Sequence, residues 1–421
     1  MGKTIVEKII ASKAGHEVSA GDTILMGLDV RSARDFGGAN VVKHLEREYE
    51  GDRVADLDKT FFTFDCVVPA NNIGYANNQH KIREFARETG VRVYDVDAGI
   101  GSHVLIEQGH ALPGKTVVGT DSHLNIMGAI GALGQGMGDT DIAFSFKTGK
   151  TWFEVPETIR LNLSGSLTFP ATAKDLTLAV VKHFGANGAL GKVVEVYGPL
   201  TDVLTLSDRI TLSSMGTEMG AIALIIPPNE EVLAYCRARA AVPFQPVFAD
   251  EDATYAQRID LDLGDIQPML SLPGHPEDVT PVGEAAGRPI DSVFIGSCTN
   301  GRFEDFQQVA KLLGDQKIHP RVMAKIVPAT KEVFGQLISS GLFQKFHEAG
   351  FILSNQGCGG CAAGQIGMTG KGEVQLSTSN RNFAGKQGAG DTYLVSPVTA
   401  VASAITGVIT DPATLDLEAH S

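Results

Sequence analysis

Residues 354–364 read SNQGCGGCAAG, with Cys358 and Cys361 two residues apart in a glycine-rich loop, and residues 295–302 read IGSCTNGR, with Cys298 60 positions before Cys358. Each motif follows a short apolar run, SVFIG before Cys298 and FILS before Cys358. A third run, VQLSTS, leads into Asn380 and Arg381. Between them lie stretches at helical spacing, RFEDFQQVAKLLG and KEVFGQLISSG, and a further strand-like run, VMAKIVPA. Strands alternating with helices predict an α/β domain with a largely parallel sheet. In such a sheet the carboxyl ends of the strands converge on the edge where ligands bind. Three strand ends therefore bring three thiolates and an arginine to one place.

A structural zinc site is closed by four protein ligands, whereas a Lewis-acid catalyst keeps one position open. No further His or Cys lies within ten residues of the three cysteines, so a zinc knuckle lacks a nearby fourth ligand. An iron–sulfur cluster with three cysteine-bound irons and one open iron fits the count better.

The rest of the chain is organised in the same way. At 421 residues, 43% of them apolar, it is long enough for several cores. Residues 1–156 alternate FFTFDCVV (61–68), ANNQHKIREFARETG (76–90), VRVYDVD (91–97) and TVVG (116–119), the rhythm of a first α/β domain. The glycine-dense GAIGALGQGMGD (128–139) lacks the strand–GxGxxG–helix order of a dinucleotide site and predicts tight turns and close packing. Residues 157–289 read as a second α/β domain, with IRLNLSG as strand, KDLTLAVVKHFG as a helix opened near Thr172 and ITLSSMGTEMGAIALI as another helix. It ends in a connector holding half of the 18 prolines. Residues 290–421 form the cysteine-bearing third domain.

A formal charge of −14 without long like-charge runs argues against nucleic acid and anionic membrane surfaces. No apolar run approaches the roughly 18 residues of a membrane span. Five sparse cysteines suggest a reducing, cytoplasmic setting.

IGSCTNGR, NQGCGGCAAG, SNRNFAGKQG (379–388) and GTDSH (119–123) resemble the aconitase superfamily over nearly the whole chain, in order. The length resembles that of the large subunits in its isopropylmalate dehydratase and homoaconitase branch. The resemblance implies three α/β/α domains around a central 4Fe-4S cluster held by Cys298, Cys358 and Cys361, with one open iron. It implies a hydro-lyase that dehydrates and rehydrates a 2-hydroxy di- or tricarboxylic acid. The first substrate is 3-isopropylmalate, in leucine biosynthesis, with homoaconitase or a methylated-malate dehydratase as alternatives. By the same resemblance Asp121, His123 and Glu218, with Asp65 and His103, form the acid–base set. Asn380 and Arg381, with Lys386, Arg34 and Ser122, surround the substrate. The swivelling fourth domain of the family has no counterpart after residue 388. A small partner subunit should supply it, in a heterodimer or heterotetramer, and this chain alone should be inactive.

Four places depart from the family pattern. Asp65-Cys66 stands for Asp-His; IGSHVL (100–105) stands for I-C-H-Q-V-L; Lys386 stands for arginine; and Arg34-Asp35 stands for His-Asp or Gln-Asp. A thiol is a different proton donor from an imidazole, and Lys386 keeps charge while losing bidentate geometry. These departures motivate a reading of another class, a non-catalytic relative that keeps the cluster. Cys236, outside every motif, reads as structural.

Overall fold

Parallel strands covered by helices on both faces carry near-continuous apolar runs, and the runs above take that form in the computed structural model, which describes residues 2–49, 54–361 and 365–415. The chain divides into two compact units. One comprises Met1–Asp65, Pro69–Ser164 and Asn187–Asp262; the other comprises Cys66–Val68, Gly165–Ala186 and Leu263–Ser421.

The first unit contains a five-stranded sheet in the order Arg92–Tyr94, Thr60–Thr63, Val30–Arg34, Thr116–Gly119, Leu133–Gly136, parallel at every pairing. Thr60–Thr63 and Thr116–Gly119 are buried throughout, and Val30, Phe61, Val117, Leu124 and Ile130 share one core. The run FFTFDCVV is strand only as far as Thr63. The glycine-dense segment is a 3-10 helix, Leu124–Ile130, followed by the edge strand. Its glycines permit close approach: a Cβ on Gly128 would lie 1.8 Å from the Leu224 carbonyl oxygen, and one on Gly136 2.4 Å from that of Asp121.

ITLSSMGTEMGAIALI is not one helix. The helix ends at Ser214, Gly216–Met219 is a 3-10 turn, and Gly220 at φ 78° turns the chain into the strand Ala223–Ile225, parallel to Val193–Tyr197. Three consecutive residues buried on both sides suit a sheet interior, and the left-handed glycine cannot continue a helix. Thr172 caps the helix Ala173–Phe184 in a capping box with Asp175.

The second unit holds seven strands in the order Val279–Pro281, Met269–Ser271, Asp391–Val395, Val374–Ser377, Ser292–Ile295, Met323–Ile326, Ile352–Leu353. The last five run parallel, while the first two, drawn from the proline-rich connector, pair antiparallel. YLVSPVTAVASAITG forms the strand Asp391–Val395 and the helix Pro397–Thr406. Among the described residues no helix is long and apolar enough to cross a membrane.

Candidate active site

In the first unit three adjacent strand ends deliver charge to one edge. Arg34 closes the strand Val30–Arg34, Asp65 lies two residues beyond Thr60–Thr63, and Asp121 two beyond Thr116–Gly119. Arg34 spans them, with Nε 2.7 Å from Asp65 Oδ1 and Nη1 3.0 Å from Asp121 Oδ1. The Gly101 amide donates to Asp65 Oδ2 at 2.8 Å and the His123 amide to Asp121 Oδ1 at 3.0 Å. A Cβ on Gly101 would lie 2.3 Å from Thr63 Oγ1, so a cysteine does not fit there. Burial pushes the Asp65 carboxyl up to about 6 against the pull of Arg34, and the Asp35 and Asp121 carboxylates push the same way.

His123 Nε2 lies 2.9 Å from Glu218 Oε1, and both side chains are more than nine-tenths buried. Thr217 Oγ1 donates to the Ser122 carbonyl at 2.9 Å, tying the Glu218 turn to the GTDSH loop. An imidazole oriented by a carboxylate is an arrangement suited to general acid–base work.

In the second unit the cysteine loops are built for close packing. Ser297 holds φ 79°, and Gly296 before it donates its amide hydrogen to Thr378 Oγ1 at 2.9 Å. Left-handed backbone at a β-substituted residue costs energy and clusters at functional sites. Cys298 follows, its Sγ 3.2 Å from Asn380 Oδ1. In the second loop a Cβ on Gly359 or Gly360 would lie 2.9 or 3.0 Å from the Phe294 ring, on the strand that leads to Cys298. Cys298 and Cys358 are buried and Cys361 half-buried; among the described residues no cysteine forms a disulfide. The last residues of the motif, 362–364, lie outside the described residues. Free thiols, one of them beside an amide that can face sulfur, suit an iron–sulfur cluster, whose sulfurs are tuned by such neighbours.

The structure thus gathers Arg34, Asp65, Asp121, His123 and Glu218 in one unit, and Cys298 with Asn380 in the other. Arg34 is engaged by two carboxylates. Ser122 is exposed at its side chain, and His103 is fully buried in the helix Gly101–Glu107. Arg381 is half-buried and Lys386 partly exposed on the loop beyond it. The sequence pattern assigns no site role to Asp35, buried, which accepts from the Asp65 amide at 3.2 Å and Gln79 Nε2 at 3.1 Å. It also passes over Lys174, buried, which donates to the Thr378 and Ser379 carbonyls at 3.2 and 2.9 Å and so fixes the backbone before Asn380. The signal for Lys174 was a lysine inside a capping box.

The sequence matches the aconitase family (aconitate hydratase) over residues 7–407. The chain belongs to the aconitase family. It is 42% identical to the 3-isopropylmalate dehydratase large subunit 1 of Methanopyrus kandleri, covering 98% of this chain and 99% of that one. It is also 42% identical to a probable methanogen homoaconitase large subunit of Methanosarcina mazei, covering 92% of this chain and 99% of that one. Among solved structures, aconitase X of Thermococcus kodakaraensis in its holo form matches with a TM-score of 0.50 and 13% identity, over 85% of this chain and 84% of that one, a likeness of fold.

Proposed function

We propose that this chain is the large, cluster-binding subunit of a hydro-lyase that removes water from a 2-hydroxy di- or tricarboxylic acid and adds it back, with 3-isopropylmalate as substrate. The observation that supports the reading is the 3.2 Å contact between Cys298 Sγ and Asn380 Oδ1, which joins the two motifs proposed to ligate the cluster and to hold a carboxylate. The likeness to 3-isopropylmalate dehydratase large subunits supports it. The equal identity to a homoaconitase large subunit keeps homoaconitate-type acids as the second reading.

Cys298, Cys358 and Cys361 would hold a 4Fe-4S cluster with one iron open. When bound, it supplies a Lewis acid that makes hydroxide a competent leaving group. Arg381, with Asn380, holds a substrate carboxylate through its planar fork, and Lys386 adds a point charge nearby. Glu218 and His123 share a proton across their contact and pass it to or from the substrate. Arg34 bridges Asp65 and Asp121, and Asp65, pushed up to about 6 by burial, changes charge around that pH. His103 and Ser122 complete the acid–base and substrate-facing sets. A small partner subunit carries the swivelling domain and completes the site.

Co-expression with the small subunit, anaerobic reconstitution with iron and sulfide, and alkene absorbance across a panel of 2-hydroxy acids test the proposal. Turnover of isopropylmalate is expected. Turnover only of a longer homologous acid moves the assignment to the homoaconitase branch, and an intact cluster with no turnover of any acid overturns the enzyme reading in favour of a non-catalytic cluster protein. Zinc without acid-labile sulfide overturns the cofactor.

A further inference from the structure

In the second unit, a line of buried polar side chains ends on the Arg381 backbone and has no part in the chemistry above. Lys325, 1% exposed within the strand Met323–Ile326, donates from Nζ to Gln375 Oε1 at 3.0 Å. Ser292 Oγ donates to the same oxygen at 3.2 Å. Gln375 Nε2 donates to Gln387 Oε1 at 2.9 Å. Gln387 Nε2 then donates to Ser379 Oγ at 2.6 Å and to the Arg381 carbonyl oxygen at 2.9 Å. Gln375 and Gln387 are 2% and 3% exposed, so water does not compete for their amides.

The direction of this line is set at one end. An ammonium only donates, so Lys325 must face the carbonyl oxygen of Gln375. That leaves the Gln375 NH2 for Gln387, which must answer with its own oxygen and turn its NH2 toward Arg381. Were both amides reversed, an NH2 would meet the ammonium and a carbonyl oxygen would meet the Arg381 carbonyl. Each such buried mismatch costs about 1–3 kcal/mol. The Arg381 carbonyl is therefore held by an amide whose orientation originates at a lysine two strands away in the sheet. Gln387 also closes the loop on itself, because it grips a residue six positions earlier in the chain.

The geometry points to Lys325, acting through Gln375 and Gln387, as a positioning residue for the carboxylate-binding Arg381, an inference that rests on the proposed role of Arg381. A guanidinium that meets a carboxylate bidentately must have its backbone fixed to a fraction of an ångström. The amide line supplies that constraint from beneath, without touching substrate.

The deciding variant is Gln375→Glu in the holoenzyme assembled with its small subunit. The new carboxylate is isosteric and pairs with Lys325, which preserves the fold. It can only accept, so Gln387 must turn its NH2 toward it and present its oxygen to the Arg381 carbonyl. KM is expected to rise about tenfold, equivalent to about 1.4 kcal/mol of binding, with kcat, iron and sulfide content and the far-ultraviolet circular dichroism unchanged. Calorimetric binding of the corresponding saturated dicarboxylic acid, which cannot react, should weaken equally. Lys325→Met, which frees both amides to turn, should shift KM in the same direction by less. Unchanged KM and unchanged affinity in Gln375→Glu overturn the inference. Arg381→Lys separates the two levels. If it raises KM while Gln375→Glu does not, only the positioning role falls; if neither changes KM, the carboxylate role of Arg381 falls and the positioning role with it.

Discussion

The two units build their sheet edges by one rule and fill them with different chemistry. In the first, the ends of three adjacent parallel strands carry Arg34, Asp65 and Asp121, and one guanidinium bridges both carboxylates within the edge itself. In the second, strand ends carry thiols, amides and hydroxyls, and one buried cation, Lys174, is bound to main-chain carbonyls. Topology alone therefore does not assign a role to a sheet edge. On the proposed function, the first set of groups would exchange protons, and the second would ligate metal and donate to oxygen.

The comparison breaks most completely at the thiols. Cys298→Ser replaces a soft thiolate with a poor iron ligand; cluster iron, acid-labile sulfide and activity should all be lost while the far-ultraviolet circular dichroism is retained. Iron content equal to the parent would show that Cys298 is not a ligand. The first unit answers differently. Glu218→Gln should lower kcat by about 10²–10⁴-fold, the usual range for an acid–base group, with iron content unchanged, and a loss of iron alongside activity would erase the contrast between the edges. Arg34→Gln comes next, because it leaves Asp65 and Asp121 buried without their shared cation. Removing one partner of such a pair costs about 3 kcal/mol or more, visible as a lowered urea midpoint; a midpoint within error of the parent would mean the pairing is energetically idle.

Much of the second edge was legible in the sequence, and less of the first. Cys298, Cys358 and Arg381 each sit just beyond an apolar run, so local pattern alone placed them at strand ends. The pairing of Arg34 with Asp65 and Asp121 joins positions 31 and 87 residues apart. Periodicity reports burial along one element and does not say which strands become neighbours. The same holds for Lys325 and Gln375, 50 residues apart on strands that flank Ser292–Ile295. The helix expected over residues 210–225 failed for another reason: apolar spacing there suits a buried helix or a buried strand equally, and Gly220 at φ 78° decided it.

The smallest effect separates two buried aspartates, one in each unit. Burial raises both Asp65 and Asp175 to about 6. Asp65 is countered by a cation. Asp175 is held by neutral donors, the Met269 amide at 2.8 Å and the amide and hydroxyl of Thr172 at 2.8 and 3.0 Å, and it completes the capping box opened by Thr172. A carboxyl whose folded pKa lies above its unfolded value binds its proton more tightly when folded. The stability it contributes is therefore fully present below about pH 4 and is lost as pH rises through about 6. Between about pH 5 and pH 7 each aspartate should make the chain less stable by about 1 kcal/mol. Asp65→Asn and Asp175→Asn should each remove one share of that slope in urea midpoints measured across the interval. Only Arg34→Gln should tell the two apart. Without the guanidinium the Asp65 pKa climbs further, so the loss of stability extends above pH 7 in that variant, and adding Asp65→Asn should abolish the extension while adding Asp175→Asn should leave it. An extension that survives Asp65→Asn would place the titrating carboxyl elsewhere in the first edge, with Asp121 the next to test.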